Sequence, residues 1–189
     1  GGGAITLAGG TDDGSGAPAG YAIGIAAMPT GGIANAFNIG VVTMSGLSMY
    51  SGGGNIIIRG QGANISTASS NEDGVAIFGG TINSGQGTIY INGKTTATVA
   101  GNGYAYGIHL NANGDGTTTN IISSNTGTSA ITLVGDSSGS STINSSGIMI
   151  YYSSNASTGA IGTVIAATNG GGVTLTGKGT TSTSGNAGG

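Results

Sequence analysis

One short pattern occurs five times along the chain: an apolar residue, any residue, an apolar residue, any residue, and then glycine. The five copies span residues 5–9, 56–60, 89–93, 131–135 and 173–177. Each copy has the two-residue alternation of a short strand with one buried face, followed by the residue that most easily turns a corner. The chain is therefore predicted to be a repeat protein, in which stacked repeats bury a core that no single repeat could bury alone.

A second series of alternating apolar segments lies between the members of the first. Its members are 21–25, 75–77, 104–108 and 148–150, and each directly follows a glycine. Corresponding residues of the first series are 51, 33, 42 and 42 positions apart, and those of the second, Ile25, Ile77, Ile108 and Ile150, are 52, 31 and 42 apart. Because the two series stay in phase, the pattern predicts coils of about 20 residues, two to each repeat.

This spacing predicts an all-β fold, a parallel β-helix (solenoid) of about 9 coils of about 20 residues each. A helical fold is disfavoured, because glycine and β-branched residues are poor helix formers and occur throughout the chain. Further strand candidates, which would supply another side of each coil, are residues 36–42, 65–68, 96–100, 118–122 and 161–166.

In such a fold the inward side chains of successive coils stack into rows. The pattern predicts ten core residues: Ile5, Leu7, Ile56, Ile58, Ile89, Ile91, Ile131, Leu133, Val173 and Leu175. Residues 1–189 are expected to form a single segment, with a protruding loop or an extra half coil within 26–54, where the spacing is irregular. Met44, Leu47 and Met49 are expected to fill the core there, since methionine often fills gaps.

Composition narrows the functions that are open to the chain. Gly accounts for 43 of 189 residues, but the 37% hydrophobic content and the charged fraction of only 5% favour an ordered chain over a disordered one. No basic stripe is present, so nucleic-acid binding is not expected. No apolar run reaches the roughly 18 to 20 residues of a membrane-spanning helix, so membrane insertion is not expected either.

The absence of cysteine and the scarcity of charge favour an exported chain, secreted to the cell surface or beyond it. The chain begins with Gly1, which suggests a processed product or part of a longer chain.

The repeats resemble the glycine-rich repeats of bacterial filamentous haemagglutinin-like adhesins, which are secreted through a two-partner route. The resemblance lies in the segments Gly-Gly-x-Ile/Val-x-Leu/Ile-x-Gly at 2–9, 53–60 and 170–177, and in Gly-Tyr-Ala-x-Gly-Ile at Gly20 and Gly103. It covers nearly the whole chain. It implies a long right-handed parallel β-helix on the cell surface, in which the repeats act as a stalk.

Residues that could carry chemistry are few, and no enzymatic activity or cofactor is expected. No two repeats place a carboxylate at the same strand position, as paired-carboxylate catalysis would require. Asp73 and Asp115 lie in turns that could offer oxygen ligands to calcium, although turn formation explains them equally well. His109 is expected to be a surface histidine without an orienting partner.

Two further sets of residues are expected on the surface. Lys94, Asp136 and Lys178 each follow the glycine that closes a first-series strand, which predicts a surface row of opposite charges with a structural role. Tyr90, Tyr151 and Tyr152 are expected to be exposed and could stack on sugars or on another rod.

The leading functional prediction is a non-enzymatic structural shaft of a secreted, cell-surface bacterial adhesin that supports adhesion or biofilm formation. An alternative is a subunit of a self-assembling extracellular filament, because the net charge of −3 gives little repulsion between molecules. A second alternative is a β-helical carbohydrate-active enzyme. The expected partners are neighbouring β-helix coils or identical subunits end to end, together with host or surface glycans.

Overall fold

The computed structural model describes residues 2–10, 19–24, 38–64, 72–97, 104–111, 117–140, 144–151, 153–155, 159–180 and 186–188. Within these residues the chain is all-β and contains no helix, which confirms the predicted class. The strands are β1 (Ile5–Leu7), β2 (Ala22–Ile23), β3 (Val41–Thr43), β4 (Ser48–Tyr50), β5 (Ile56–Gln61), β6 (Val75–Phe78), β7 (Gly80–Asn83), β8 (Ile89–Lys94), β9 (Tyr104–Asn111), β10 (Thr119–Ser123), β11 (Ile131–Asp136), β12 (Asn144–Tyr151), β13 (Ser153–Asn155), β14 (Gly159–Ile161), β15 (Thr163–Ala167), β16 (Val173–Lys178) and β17 (Asn186–Gly188).

Three parallel sheets contain all of these strands except β13 and β14, which form an antiparallel pair. The first sheet has the order β1-β5-β8-β11-β16, with β2 also paired to β5. The second sheet has the order β15-β10-β7-β4, and the third has the order β17-β12-β9-β6-β3.

Isoleucine rows run across the first sheet because identical positions of successive strands pair directly. Ile56 lies opposite Ile89, and Ile89 lies opposite Ile131. The next row consists of Ile58, Ile91 and Leu133, and all six of these side chains are buried. Along each strand these buried residues alternate with half-buried residues that face outward, as expected for strands with one buried face.

The residues at the two ends of these rows are less buried than the predicted core requires. Ile5 and Leu7 are partly buried against the core. Val173 and Leu175 are in register with Ile131 and Leu133 but remain 41% and 44% exposed. Among the described strands β16 pairs only with β11, so no further row covers these two side chains.

The main aliphatic core of the described residues lies between the three sheets. The second sheet contributes Met49, Ile82 and Ile121. The third sheet contributes Val75, Ile77, Ile108 and Leu110. Burying each of these large side chains stabilises the fold by about 1.5–3 kcal/mol, so stacked rows are the main source of stability.

Glycines that close the first-sheet strands allow the first and third sheets to touch backbone to backbone. A Cβ placed on Gly93 would lie 1.8 Å from the carbonyl oxygen of Gly107, and one on Gly135 would lie 1.9 Å from that of Gly147. Within the described residues, the glycines with positive φ lie elsewhere, for example Gly85 with φ 60°. The strand-closing glycines Gly93 and Gly135 therefore do not turn a corner, contrary to the prediction. The strand continues through each of them, and the close approach of the two sheets requires glycine at these positions.

The segments of the first series form the first sheet, and three segments of the second series, 75–77, 104–108 and 148–150, lie in the third sheet rather than in successive coils of about 20 residues. The remaining segment, 21–25, contributes β2, which pairs with β5 of the first sheet. Neighbouring strands of the first sheet start 33 and 42 residues apart, at Ile56, Ile89 and Ile131, and strands of the other two sheets lie between them. Each pass through the three sheets therefore takes about twice the predicted coil length of about 20 residues, because it includes one strand of each sheet.

The pairing of the second series also differs from the predicted one. Ile108 lies opposite Val75 and Ile148, not opposite Ile77 and Ile150. A shift by two residues keeps every side chain on the same face, so apolar alternation cannot distinguish the two registers.

The weaker strand candidates were partly correct. Three of them overlap β3, β10 and β15, whereas residues 65–68 and 98–100 lie outside the described residues. Within the irregular segment, β3 and β4 join the sheets. Met49 is buried and Leu47 packs against the core, but Met44 is 58% exposed, contrary to the prediction, because it lies just beyond the end of β3.

Candidate functional site

A pocket lies on the outer face of the third sheet, where the like-with-like stacking of the repeats breaks down. His109 of β9 lies between Ala76 of β6 and Met149 of β12. In the next outward row Asn111 lies between Phe78 and Tyr151. These neighbouring positions therefore carry six different side chains, whereas the core rows repeat Ile and Leu.

Two tyrosines lie on this face because the alternation of inward and outward side chains along β9 shifts by one residue at Gly107. After the glycine, Ile108 and Leu110 enter the core, while His109 lies on the outer face. Before the glycine, Ala105 packs against Ala97 in a separate small cluster, and Tyr104 and Tyr106 lie on the outer side. The backbone contact at the glycine thus brings side chains from both halves of β9 to one surface.

The aromatic rings on this face form a connected group. The rings of Tyr106 and His109 meet edge to face, with centroids 4.9 Å apart. Phe78 meets the other side of His109 in the same way at 5.1 Å, and Tyr104 lies 6.0 Å from Tyr106. These distances fall in the range in which aromatic pairs attract one another, so the imidazole is held firmly in place.

A buried carboxylate fixes the orientation of His109. Oδ2 of Asp73 lies 2.9 Å from Nδ1 of His109, and Oδ1 of Asp73 accepts a hydrogen bond from the backbone N–H of Tyr106 at 3.1 Å. The Asp73 side chain is fully buried and that of His109 is 14% exposed. Because a carboxylate only accepts hydrogen bonds, Nδ1 carries the hydrogen in this pair, and Nε2 is the other polar atom of the ring.

The same environment keeps the Tyr106 phenol protonated. Burial, followed by the negative charge of Asp73, raises the pKa of Tyr106 from 10.0 to about 12. Tyr106 is therefore a hydrogen-bond donor or acceptor and not a base at neutral pH.

The pocket itself is open and shallow, with a volume of roughly 230 Å³. Its described lining consists of Tyr104, Tyr106, His109, Asn111, Met149 and Tyr151. This lining contains no carboxylate, lysine, arginine, serine or threonine. It combines aromatic surface with amide, imidazole and phenol groups that can form hydrogen bonds with a ligand.

Several residues singled out in the sequence belong to this site. His109 is largely buried and has an orienting partner, contrary to the expectation of an unsupported surface histidine. Asp73 was considered as a calcium ligand, but both of its carboxylate oxygens face N–H groups, those of Tyr106 and His109. Calcium prefers a cluster of several oxygen ligands, and this arrangement does not provide one. Tyr151 is exposed, as expected, and Asp115 and Tyr152 lie outside the described side chains.

Sequence reasoning missed the Asp73–His109 pair because it aligned the second series on isoleucine. Aligning Gly74 with Gly107 would have placed Asp73 beside Tyr106 on the neighbouring strand, and therefore close to His109. The usable signal was therefore Gly107, inside the 104–108 segment, rather than the glycine that precedes this segment.

The other surface residues form structural contacts. Tyr90 is half-buried: Asn92 donates a hydrogen bond to its hydroxyl at 3.0 Å, and the Arg59 guanidinium lies 5.8 Å from its ring centroid. Asp136 lies in register with Lys94 and Lys178. Partial burial would raise the pKa of Asp136, but hydrogen bonds from Ser138 and the two lysine charges hold it below its usual value.

Comparison with protein-family models, with curated proteins and with solved structures found no match to this chain. In the part of the chain that the structure describes, no three His, Asp or Glu side chains come together as a group that could hold a metal ion. No helix in that part is long and apolar enough to span a membrane.

Proposed function

We propose that this chain is a structural segment of a secreted bacterial surface protein: the shaft of an adhesin of the filamentous haemagglutinin-like type, without enzymatic activity. In this proposal the three sheets wind into a right-handed parallel β-helix. The shaft carries adhesion modules away from the cell and supports adhesion or biofilm formation. Its action is mechanical, since it depends on extension and stiffness.

The observation that carries the proposal is the register of the first sheet. Ile56, Ile89 and Ile131 pair directly, and the row continues to Val173, whose side chain is still exposed. Each added strand can extend such a row by making the same contacts as the strand before it. This property is typical of elongated repeat structures.

The charged residues support a structural role over catalysis. Glu72 and Asp73 are both fully buried, and Asp136 lies between two lysines of neighbouring strands. None of these carboxylates lines the described pocket, where the acid and base of a carbohydrate-active enzyme would flank the substrate.

The test is to isolate the native material from the cell surface, run it on a denaturing gel, and image the undenatured sample by electron microscopy. A chain many times larger than 17.7 kDa, visible as thin rods, is the expected result. A native chain near 17.7 kDa that forms compact single particles would contradict the proposal.

A filament subunit is the second candidate, and the two edges of the first sheet favour it. β16 exposes Leu175 in the row that continues Leu133, and β1 at the opposite edge carries the same Ile-Thr-Leu order as β11. Strand β1 of one copy could therefore pair with β16 of the next in the register of the other rows.

Purified chain tests this candidate directly. Filaments that dissolve into subunits near 17.7 kDa in denaturant would support it. Leu175→Lys should abolish them, because it places a charge in the apolar row, whereas Thr174→Lys, on the outward side of the same strand, should weaken them less. Equal effects of the two substitutions, or no filaments at all, would argue against assembly through this edge.

A further inference from the structure

We propose that the pocket on the third sheet binds an uncharged pyranose unit of a glycan. The proposal does not depend on whether the chain is a shaft or a filament subunit. It rests on the arrangement of the aromatic side chains, the polar groups between them and the buried Asp73–His109 pair.

The first step is the departure of the site from the repeat. Rows that serve only to stack the sheets repeat the same residue type, as Ile56, Ile89 and Ile131 do. The outward row through His109 instead contains Ala76 and Met149. The imidazole between the small Ala76 and the flexible Met149 lines the pocket with 14% of its side-chain surface exposed.

The second step is the cost of the support behind the histidine. Burying a carboxylate is unfavourable unless it is paired and hydrogen-bonded. Asp73 is fully buried and is held by the Tyr106 N–H and the His109 ring. This arrangement leaves His109 with one fixed orientation, in which Nε2 is the ring atom not occupied by Asp73. Fixed polar groups of this kind are typical of preorganised binding sites.

The third step is the chemistry of the lining. Tyr104 and Tyr151 are both exposed, so their rings offer large apolar surfaces at low entropic cost. The C–H groups on one face of a pyranose carry a slight positive charge and attract the negative face of an aromatic ring. His109 and the Asn111 amide are placed beside these rings to exchange hydrogen bonds with sugar hydroxyls.

Charge and size select the ligand class. The described lining has no lysine or arginine, and Asp73 lies behind it, so an acidic sugar would be disfavoured. The volume of roughly 230 Å³ is smaller than the ~300–1,000 Å³ of pockets for drug-sized ligands. An open pocket of this size suits one ring of a longer glycan whose other groups remain in water.

The experiment measures saturation-transfer NMR from the purified chain to four methyl pyranosides, those of glucose, galactose, mannose and N-acetylglucosamine, with methyl glucuronide as the acidic comparison. Titration gives the dissociation constant of each sugar that responds. The key variant is Tyr151→Ala, at a side chain that is 56% exposed. The matched control is Tyr50→Ala on the second sheet, where the tyrosine is 61% exposed.

At least one neutral pyranoside should bind, and more tightly than the glucuronide. Loss of the Tyr151 ring should weaken its binding about tenfold, since stacking and burial of one ring contribute that much. Tyr50→Ala should leave the binding unchanged. Circular dichroism checks that both variants fold, and Tyr104→Ala replaces Tyr151→Ala if the latter does not.

The proposal is overturned if none of the four neutral sugars binds. It is also overturned if binding is the same in Tyr151→Ala as in the wild type, or if Tyr50→Ala weakens it equally. None of these results affects the gel and microscopy test of the structural role, so failure of the pocket and failure of the shaft can be told apart.

Discussion

Replacement of Gly93 by alanine should force the first and third sheets apart. The new Cβ would lie 1.8 Å from the carbonyl oxygen of Gly107, whereas Cβ contacts in proteins are no closer than 3.0 Å. Gly93 is paired with Gly60 and Gly135 on its two sides, so it cannot move alone. The two backbones must therefore separate locally by about 1.2 Å.

The magnitude follows from the packing on either side of this contact. Overpacking costs about 1–3 kcal/mol, and the upper end applies here because the obstacle is backbone rather than a flexible side chain. A gap of about 1 Å also removes roughly a quarter to a half of the dispersion energy of the contacts that it opens, here those of Ile91 and Ile108. Alanine regains about 0.4–1 kcal/mol by restricting the unfolded chain. The net loss should be about 3 kcal/mol, or roughly 6–12 °C in Tm for a chain of this size.

The assay is thermal and urea unfolding followed by circular dichroism. Gly162→Ala is the matched control, because a Cβ at Gly162 meets nothing within 4 Å; this variant should be as stable as the wild type or slightly more stable. Gly135→Ala should repeat the effect of Gly93→Ala, since its Cβ would lie 1.9 Å from the carbonyl oxygen of Gly147. A Tm of Gly93→Ala equal to or above that of Gly162→Ala would refute the backbone contact.

Three other measurements probe the core, the pocket and the surface row. Ile131→Asp places an unpaired charge in the core and should abolish folding, whereas Thr132→Asp on the outward side should not; a soluble Ile131→Asp variant with an unchanged circular dichroism spectrum would refute the core assignment. In a spectrophotometric titration one tyrosine should ionise near pH 12, and this step should be missing in Tyr106→Phe. Because the folded-state pKa of Tyr106 is raised, its contribution to stability is complete below pH ~10 and should be lost as the pH rises toward 12. Asp136→Asn should cost less than about 1 kcal/mol at neutral pH, since solvent screens this carboxylate. As the Asp136 pKa is lowered in the fold, the difference from the wild type should begin to shrink as the pH falls below ~4 and should be lost once the pH is below the lowered folded-state pKa. A difference that persists in strong acid would contradict the pairing with the lysines.

The candidate site was only partly predictable. His109 and Tyr151 could be named from the sequence as surface residues, but their shared pocket could not. The sequence contains two equally good registers for the segment around Ile108, since both keep the apolar residues inward. Only the fit of Gly74, Gly107 and Gly147 against the first sheet selects one of them. That choice brings Asp73 to His109, which lies 36 positions away.

The sequence by itself determined the all-β class, the parallel pairing of the first-sheet strands and the direction in which their side chains face. It could do so because alternation with a period of two is a local property, and because a row of Ile residues is most stable when each one meets another. The tertiary structure decided the length of each pass, the role of the strand-closing glycines and the composition of the pocket. These features depend on how closely the first and third sheets approach each other. Backbone contacts between segments that are distant in sequence set this distance, and the apolar alternation within either segment does not encode it.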